Sequence, residues 1–198
     1  MTFPGSNDDR DALYCLGAVL GQETVLLWHK DQDLQGVEAI VLPGGFSYGD
    51  YLRSGALARF SPIMHSVVDF ANAGRPVLGV CNGFQILCES GLLPGALVRN
   101  RSLSFICEWV SIRVETTRTR FTSACSTGEC LSIPIKHGVG RYVADNDTVQ
   151  SLTDNDQIVF RYVNKAGETE SAANPNGTMH HIAGVTNQNG NVVGLMPH

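Results

Sequence analysis

"PVLGVCNGFQIL", residues 76–87, runs from an apolar stretch through a Cys-Asn-Gly turn straight back into helix-forming residues. Pro76 to Val80 shows no polar alternation, as expected of a short strand buried on both faces of a parallel sheet. Residues 82–90 return to helical spacing, and Gly91 ends them. The junction Gly79-Val80-Cys81-Asn82-Gly83 has the form Gly-x-Cys-x-Gly, a nucleophile elbow carrying sulfur where hydrolases carry a hydroxyl.

The flanking segments repeat the alternation. "TVLLW" (24–28) and "AIVL" (39–42) are short aliphatic runs that predict further buried strands, and Asp8 to Leu20 and the set Ile63, Val67, Phe70 and Ala71 have helical spacing. Strand and helix in turn predict an α/β fold, a mainly parallel sheet flanked by helices, with functional residues at the carboxyl ends of the strands. From about residue 103 strand-like runs dominate ("LSFICEWVSIRVE", "LSIPI", "QIVFRYV", "IAGVT", "VVGLM"), which predicts additional antiparallel strands in the C-terminal half. Asn189-Gly190 between the last two predicts a hairpin with a type I′ turn. Residues 1–198 read as a single domain, without internal repeat or linker. Only Met1-Thr2 precede "FPGSN" and the chain stops after "LMPH", so truncation at both ends is expected.

The totals exclude several classes. A net charge of -5 with 14 scattered basic residues leaves no footprint for nucleic acid. No apolar stretch approaches the roughly 20 residues of a membrane helix, and "MTFPGSNDDR" lacks the pattern of a signal peptide, so a cytoplasmic location is expected. The six cysteines then read as reduced thiols. Cys125, Cys130 and His137 match no common zinc spacing, and no metal is expected.

The elbow has chemical consequences. A strained turn exposes the Cys81 sulfur, and the following helix N-terminus favours the thiolate, which predicts a lowered pKa. The N-H after the nucleophile, that of Asn82, can donate to an oxyanion. Pro43-Gly44-Gly45, directly after "AIVL", offers a second donor loop at the same sheet edge. A base is also needed. His29, His65, His180 and His181 lie in segments without other chemical signal and read as loop or surface residues, whereas His137 in "IKHGVGRY" and His198 after "VVGLM" both follow strands.

"GVCNGFQ" resembles the Gly-x-Cys-x-Gly-x-Gln signature of class I glutamine amidotransferases, and "LMPH" resembles the start of their Pro-His-Pro-Glu ending. "FPGSN", "PGGFSYGDYLRSGALARF", "GLLPGALVRN", "HGVGRY" and "NPNG" are similar to the glutaminase subunits of phosphoribosylformylglycinamidine synthase, and the motifs run from residue 3 to residue 198. The resemblance implies a flavodoxin-like fold, hydrolysis of glutamine through a cysteine thioester, and delivery of ammonia for making formylglycinamidine ribonucleotide in purine biosynthesis. It implies a synthetase subunit and a small accessory subunit as partners, with ATP and Mg²⁺ used by the synthetase and no cofactor bound by this chain. It implies Cys81 as nucleophile, His198 as base, the N-H groups of Gly45 and Asn82 as oxyanion hole, and Gln85, His137 and Gly138 as substrate-binding residues. The family's third triad member, a Glu two residues beyond the histidine, has no counterpart in the motif as it stands here.

Two alternatives follow from the same residues. A glutaminase for another synthetase, or a related cysteine hydrolase, would have no reason to carry "FSYGDYLRSGALARF". A non-catalytic binding subunit would not need a thiol at a strained turn.

Overall fold

The computed structural model describes all 198 residues. Its strands are β1 (Ile40–Leu42), β2 (Val77–Val80), β3 (Ala96–Val98), β4 (Ile106–Val114), β5 (Cys130–His137), β6 (Arg141–Val143), β7 (Ile158–Val163), β8 (Ile182–Thr186) and β9 (Val192–Leu195). The helices are α1 (Asp9–Tyr14), α2 (Pro62–Asn72), α3 (Asn82–Glu89) and α4 (Asn146–Asp154). One sheet of seven strands has the order β1-β2-β9-β8-β7-β4-β5, and β3 and β6 form a separate pair. Parallel pairing is confined to β1, β2 and β9, and every later neighbour is antiparallel. This mixed sheet with flanking helices has the expected class, but it is mainly antiparallel rather than mainly parallel, because only β1, β2 and β9 run the same way and the later strands join through antiparallel neighbours.

Apolar side chains pack on both faces of the sheet. One cluster gathers Leu42, Ile63, Val67, Phe84 and Leu87 from β1, α2 and α3, and the other gathers Ile112, Ile135, Val159 and Tyr162 from the antiparallel strands. The two glycines of the elbow explain its sequence. A Cβ on Gly83 would lie 2.0 Å from the Leu42 carbonyl oxygen, and one on Gly79 would lie 2.7 Å from the Gly83 backbone. Helix α3 therefore rests directly on β1 and β2, and only glycine allows it. Gly83→Ala should destabilise the protein by at least about 1–3 kcal/mol, because the obstacle is backbone rather than a movable side chain. Urea unfolding measures this, and an unchanged midpoint would contradict it.

Several expectations need correction. Residues 24–28 form no strand: the segment beside them, residues 1–3, supplies a single parallel bridge from Thr2 to Trp28, and Val25, Leu26 and Trp28 are exposed. The helix expected over 8–20 is α-helical only to Tyr14 and widens into a π turn over Cys15–Val19, burying none of its residues. Helix α4 was not expected, since Val149 and Leu152 are its only buried residues; Asp145, which accepts from the Thr148 N-H at 2.7 Å, caps it. The β8–β9 hairpin is present, but of its Asn189-Gly190 pair only Gly190 has positive φ (71°), and the Gly190 N-H closes a turn onto the Asn187 carbonyl. That excludes type I′, which needs two such residues. His29, expected in a loop or at the surface, lies in a turn but is buried there, its Nδ1 2.8 Å from the Tyr48 hydroxyl.

Candidate active site

Because β1, β2 and β9 are parallel neighbours, their carboxyl ends deliver three loops to one edge: Gly44-Gly45 after β1, Cys81 after β2 and His198 after β9. A cavity of about 210 Å³ opens there, and Gly45, Cys81, Gln85, His137, Gly138 and His198 all line it. Of the residues expected at the site, only Asn82 lies behind the wall instead of on it.

Cys81 has φ 51° and ψ -104°, a strained backbone for a non-glycine residue. Its carbonyl accepts from the Gln85 N-H and its N-H donates to the Leu195 carbonyl, so α3 and β9 hold the strain in place. The Asn82 backbone N-H lies on the sulfur's side of the elbow and favours the thiolate. The Gly45 N-H has no backbone acceptor, and the φ of 140° at Gly45 permits a close approach in which a Cβ would lie 2.6 Å from the Asn7 nitrogen.

The thiol does not have the lowered pKa expected from the helix N-terminus. Burial pushes it up to about 12; the Asn82 N-H opposes this, Asp8 adds to it, and Lys136 and Asp50 contribute less in opposite directions. Desolvation of a residue only 7% exposed outweighs a short helix's dipole. The sulfur is thus protonated at rest, and a base must take its proton.

His198 lines the same cavity as Cys81. Its backbone N-H donates to the Pro134 carbonyl, its Nδ1 lies 3.5 Å from Asp8 Oδ2, and its Nε2 is buried without a partner. Asp8 in turn pairs with Lys136 at 2.9 Å. Burial lowers the His198 pKa, Asp8 raises it and Lys136 lowers it, and the net direction is down. The ring is therefore neutral near pH 7, and a proton on Nδ1 leaves Nε2 as acceptor. Gly44 makes room for this pair: a Cβ there would lie 2.2 Å from Asp8 Oδ2 and 3.0 Å from His198 Cε1.

The opposite wall is tied to the elbow. Asn82 Nδ2 donates to Gln85 Oε1 at 2.8 Å, Gln85 Nε2 donates to the Val139 carbonyl at 2.6 Å, and the Ser47 N-H donates to Asn82 Oδ1 at 3.1 Å. His137 is 3% exposed, burial lowers its pKa to about 4, and its Nε2 meets Asn176 Nδ2 at 3.0 Å. An accepting Nε2 puts the proton on Nδ1, which is buried without a partner. The structure does not gather Cys125, Cys130 and His137 into a metal-holding group.

Three residues at or behind the site were not singled out in the sequence. Asp50 lines the cavity with φ 54°; its Oδ2 accepts from the Ser54 hydroxyl at 2.8 Å, while Oδ1 is buried without a partner. Burial raises its pKa. The signal was an acid inside the glycine-bearing "FSYGDY" loop. Asp8 had the pattern of a helix-start residue, and Asn176 had none beyond its "NPNG" setting.

Against known proteins, the whole chain, residues 1–198, matches the model of the CobB/CobQ-like glutamine amidotransferase domain. It is 57% identical to a phosphoribosylformylglycinamidine synthase subunit PurQ from Synechocystis sp., covering 100% of this chain and 88% of that protein. A PurQ subunit from Moorella thermoacetica is 54% identical, over 100% of this chain and 84% of its own length. Among solved structures, a chain of PurLQS from Thermotoga maritima superimposes with a TM-score of 0.86 at 46% identity, covering 100% of this chain and 84% of that one. A putative GMP synthase subunit from Thermoplasma acidophilum, at 12% identity and TM-score 0.62 over 99% of this chain and 81% of that one, shares the fold.

Proposed function

The chain belongs to the family of CobB/CobQ-like glutamine amidotransferase domains and, within it, to the PurQ subunits of phosphoribosylformylglycinamidine synthase, and from that premise we propose that its glutaminase chemistry runs through Cys81 and His198. It is a glutaminase subunit that supplies ammonia for the ATP-dependent conversion of formylglycinamide ribonucleotide to formylglycinamidine ribonucleotide in purine biosynthesis. It works in a complex with a synthetase subunit and a small accessory subunit.

The observation that carries the residue assignment is the strained Cys81 at the head of α3, on the same sheet edge as Gly45 and His198. His198 Nε2 takes the thiol proton as sulfur attacks the side-chain amide carbon of glutamine. The oxyanion accepts from the N-H groups of Gly45 and Asn82. Collapse breaks the C–N bond, the proton passes from His198 to the departing ammonia, and a glutamyl thioester remains on Cys81. Water, losing a proton to His198, attacks the thioester; glutamate leaves and the thiol is restored. Asp8 beside Nδ1 orients the imidazole. Gln85 braces the elbow against the "HGVG" loop, and His137 Nδ1 and Gly138 face the substrate.

No step needs a cofactor on this chain; ATP and Mg²⁺ act at the synthetase. The chain has no helix long and apolar enough to cross a membrane, and its six cysteines are free. The free thiols fit a reducing compartment and support a cytoplasmic location.

Asp50 is assigned to the substrate's α-ammonium, since its unpartnered Oδ1 is an anionic acceptor in the cavity wall. A hydrogen bond to a charged group contributes about 1.5–3 kcal/mol, so Asp50→Asn should raise the KM for glutamine about 10- to 100-fold with a smaller change in kcat. Steady-state kinetics decides it, and a fall in kcat at constant KM would contradict the assignment. For the function itself, the reconstituted complex given ATP, Mg²⁺ and formylglycinamide ribonucleotide should form product from glutamine with glutamate released in step. Product from ammonia but none from glutamine would refute the proposal.

A further inference from the structure

A second cavity, about 720 Å³, lies beyond Asn176 from the glutamine site, and its lining is the reverse of the chain's overall charge. Arg101, Arg141, His180 and His181 line it, with no carboxylate. Neither Arg101 nor Arg141 forms a salt bridge, so no carboxylate of the chain neutralises the two guanidiniums that line the cavity. Arg141 Nε and His181 Nδ1 are buried with no hydrogen-bond partner. Buried donors are ordinarily satisfied, and leaving one bare costs about 1–3 kcal/mol. A bare Nε on Arg141, one of two guanidiniums here without a salt bridge, and a bare imidazole nitrogen on His181 mark a place built around a polar ligand.

The backbone supports this reading. His180 and His181 have φ of 48° and 60°, consecutive left-handed positions without glycine. Arg161 donates to the His180 carbonyl, and Asn174 Oδ1 accepts from the N-H groups of Gly177 and Thr178, so the strained wall is held from both sides. Strain maintained in this way clusters at ligand sites.

We propose that this cavity binds a phosphate monoester, with Arg101 and Arg141 on the phosphate oxygens. Guanidinium forks match phosphate geometry, and a dianion suits two cations without a neighbouring acid. Only one of the 11 lining residues is hydrophobic, so the body the cavity accepts is polar. The remainder, including Ser102, Ser171 and Asn174, offers hydroxyl and amide groups to a polar body such as a sugar. The cavity volume falls within the usual range of about 300–1,000 Å³ for small-molecule sites. The site uses no residue of the glutaminase machinery.

Isothermal titration of the purified chain with inorganic phosphate, ribose 5-phosphate and ribose tests the proposal. Saturable binding is expected for the first two, tighter for ribose 5-phosphate, and none for ribose. The R101Q/R141Q variant should bind both at least about tenfold more weakly, the loss of one charge-assisted contact or more, while its circular dichroism is unchanged. Arg101→Gln alone, at an exposed side chain without partners, gives the same reading if the double variant folds poorly. Binding should persist in Cys81→Ala, which separates this site from the glutaminase assignment. Absent phosphate binding in the native chain, or equal binding in the variants, overturns the proposal. So does a double variant that fails to co-elute with the synthetase when the native chain binds no phosphate, since the cavity then receives an acidic segment of that partner.

Discussion

Replacing Cys81 with alanine should abolish glutamine-dependent formation of formylglycinamidine ribonucleotide by the complex while ammonia-dependent formation continues. The sulfur is the only group at the elbow that can form the thioester, and α3 and β9 hold its backbone through hydrogen bonds that alanine retains. Removing the nucleophile of a comparable hydrolase costs on the order of 10⁶-fold in turnover, so residual glutamine use should fall below detection. Cys88→Ala serves as control. It sits half-buried at the other end of α3, and its thiol donates weakly to the Pro94 carbonyl, away from the cavity. Glutamine-dependent product from the Cys81 variant, with contaminating ammonia excluded, would overturn the assignment.

His198→Gln should lower glutamine-dependent turnover by about 10²- to 10⁴-fold, the usual contribution of a positioned general base. Its pH dependence separates a base from a mere packing residue. In the native protein burial keeps the His198 pKa below its ordinary value of 6.5. The imidazole accepts a proton only when neutral, so kcat/KM should be flat near pH 7 and fall as pH drops through that lowered pKa. The thiol, pushed up to about 12, adds no basic limb in the working range. In the variant the acidic limb assigned to His198 should vanish along with the rate. A native limb retained in a slowed variant would mean that another group accepts the proton.

The candidate site was legible in the sequence where backbone geometry dictates residue type. Gly79 and Gly83 are required by the contact of α3 with β1 and β2, and Gly44 by the packing of Asp8 and His198. Such glycines bracket a functional turn with a local pattern, and Cys81, Gly45 and His198 fell at the ends of runs already readable as strands. Asp8 and Asp50 were not legible as site residues because their roles arise from contacts between distant segments. Asp8 meets Lys136 across 128 positions, and an acid near a helix start has a sufficient local explanation. The thiol pKa was misjudged for a related reason: the helix dipole can be read from the elbow, but the depth of burial cannot. Residues 24–28 have the composition of a strand, yet a strand exists only where a partner runs beside it, and here one bridge is all that forms. Helix α4 shows the reverse, with a weak apolar pattern rescued by the Asp145 cap.

The most direct test of the central claim is to inactivate the complex with a diazo analogue of glutamine and map the modified residue by mass spectrometry. The account predicts that inactivation and modification of Cys81 proceed together, that glutamine protects against both, and that Cys15, Cys88, Cys107, Cys125 and Cys130 stay unmodified. Complete inactivation with Cys81 unlabelled, or with the label on another cysteine, would contradict it.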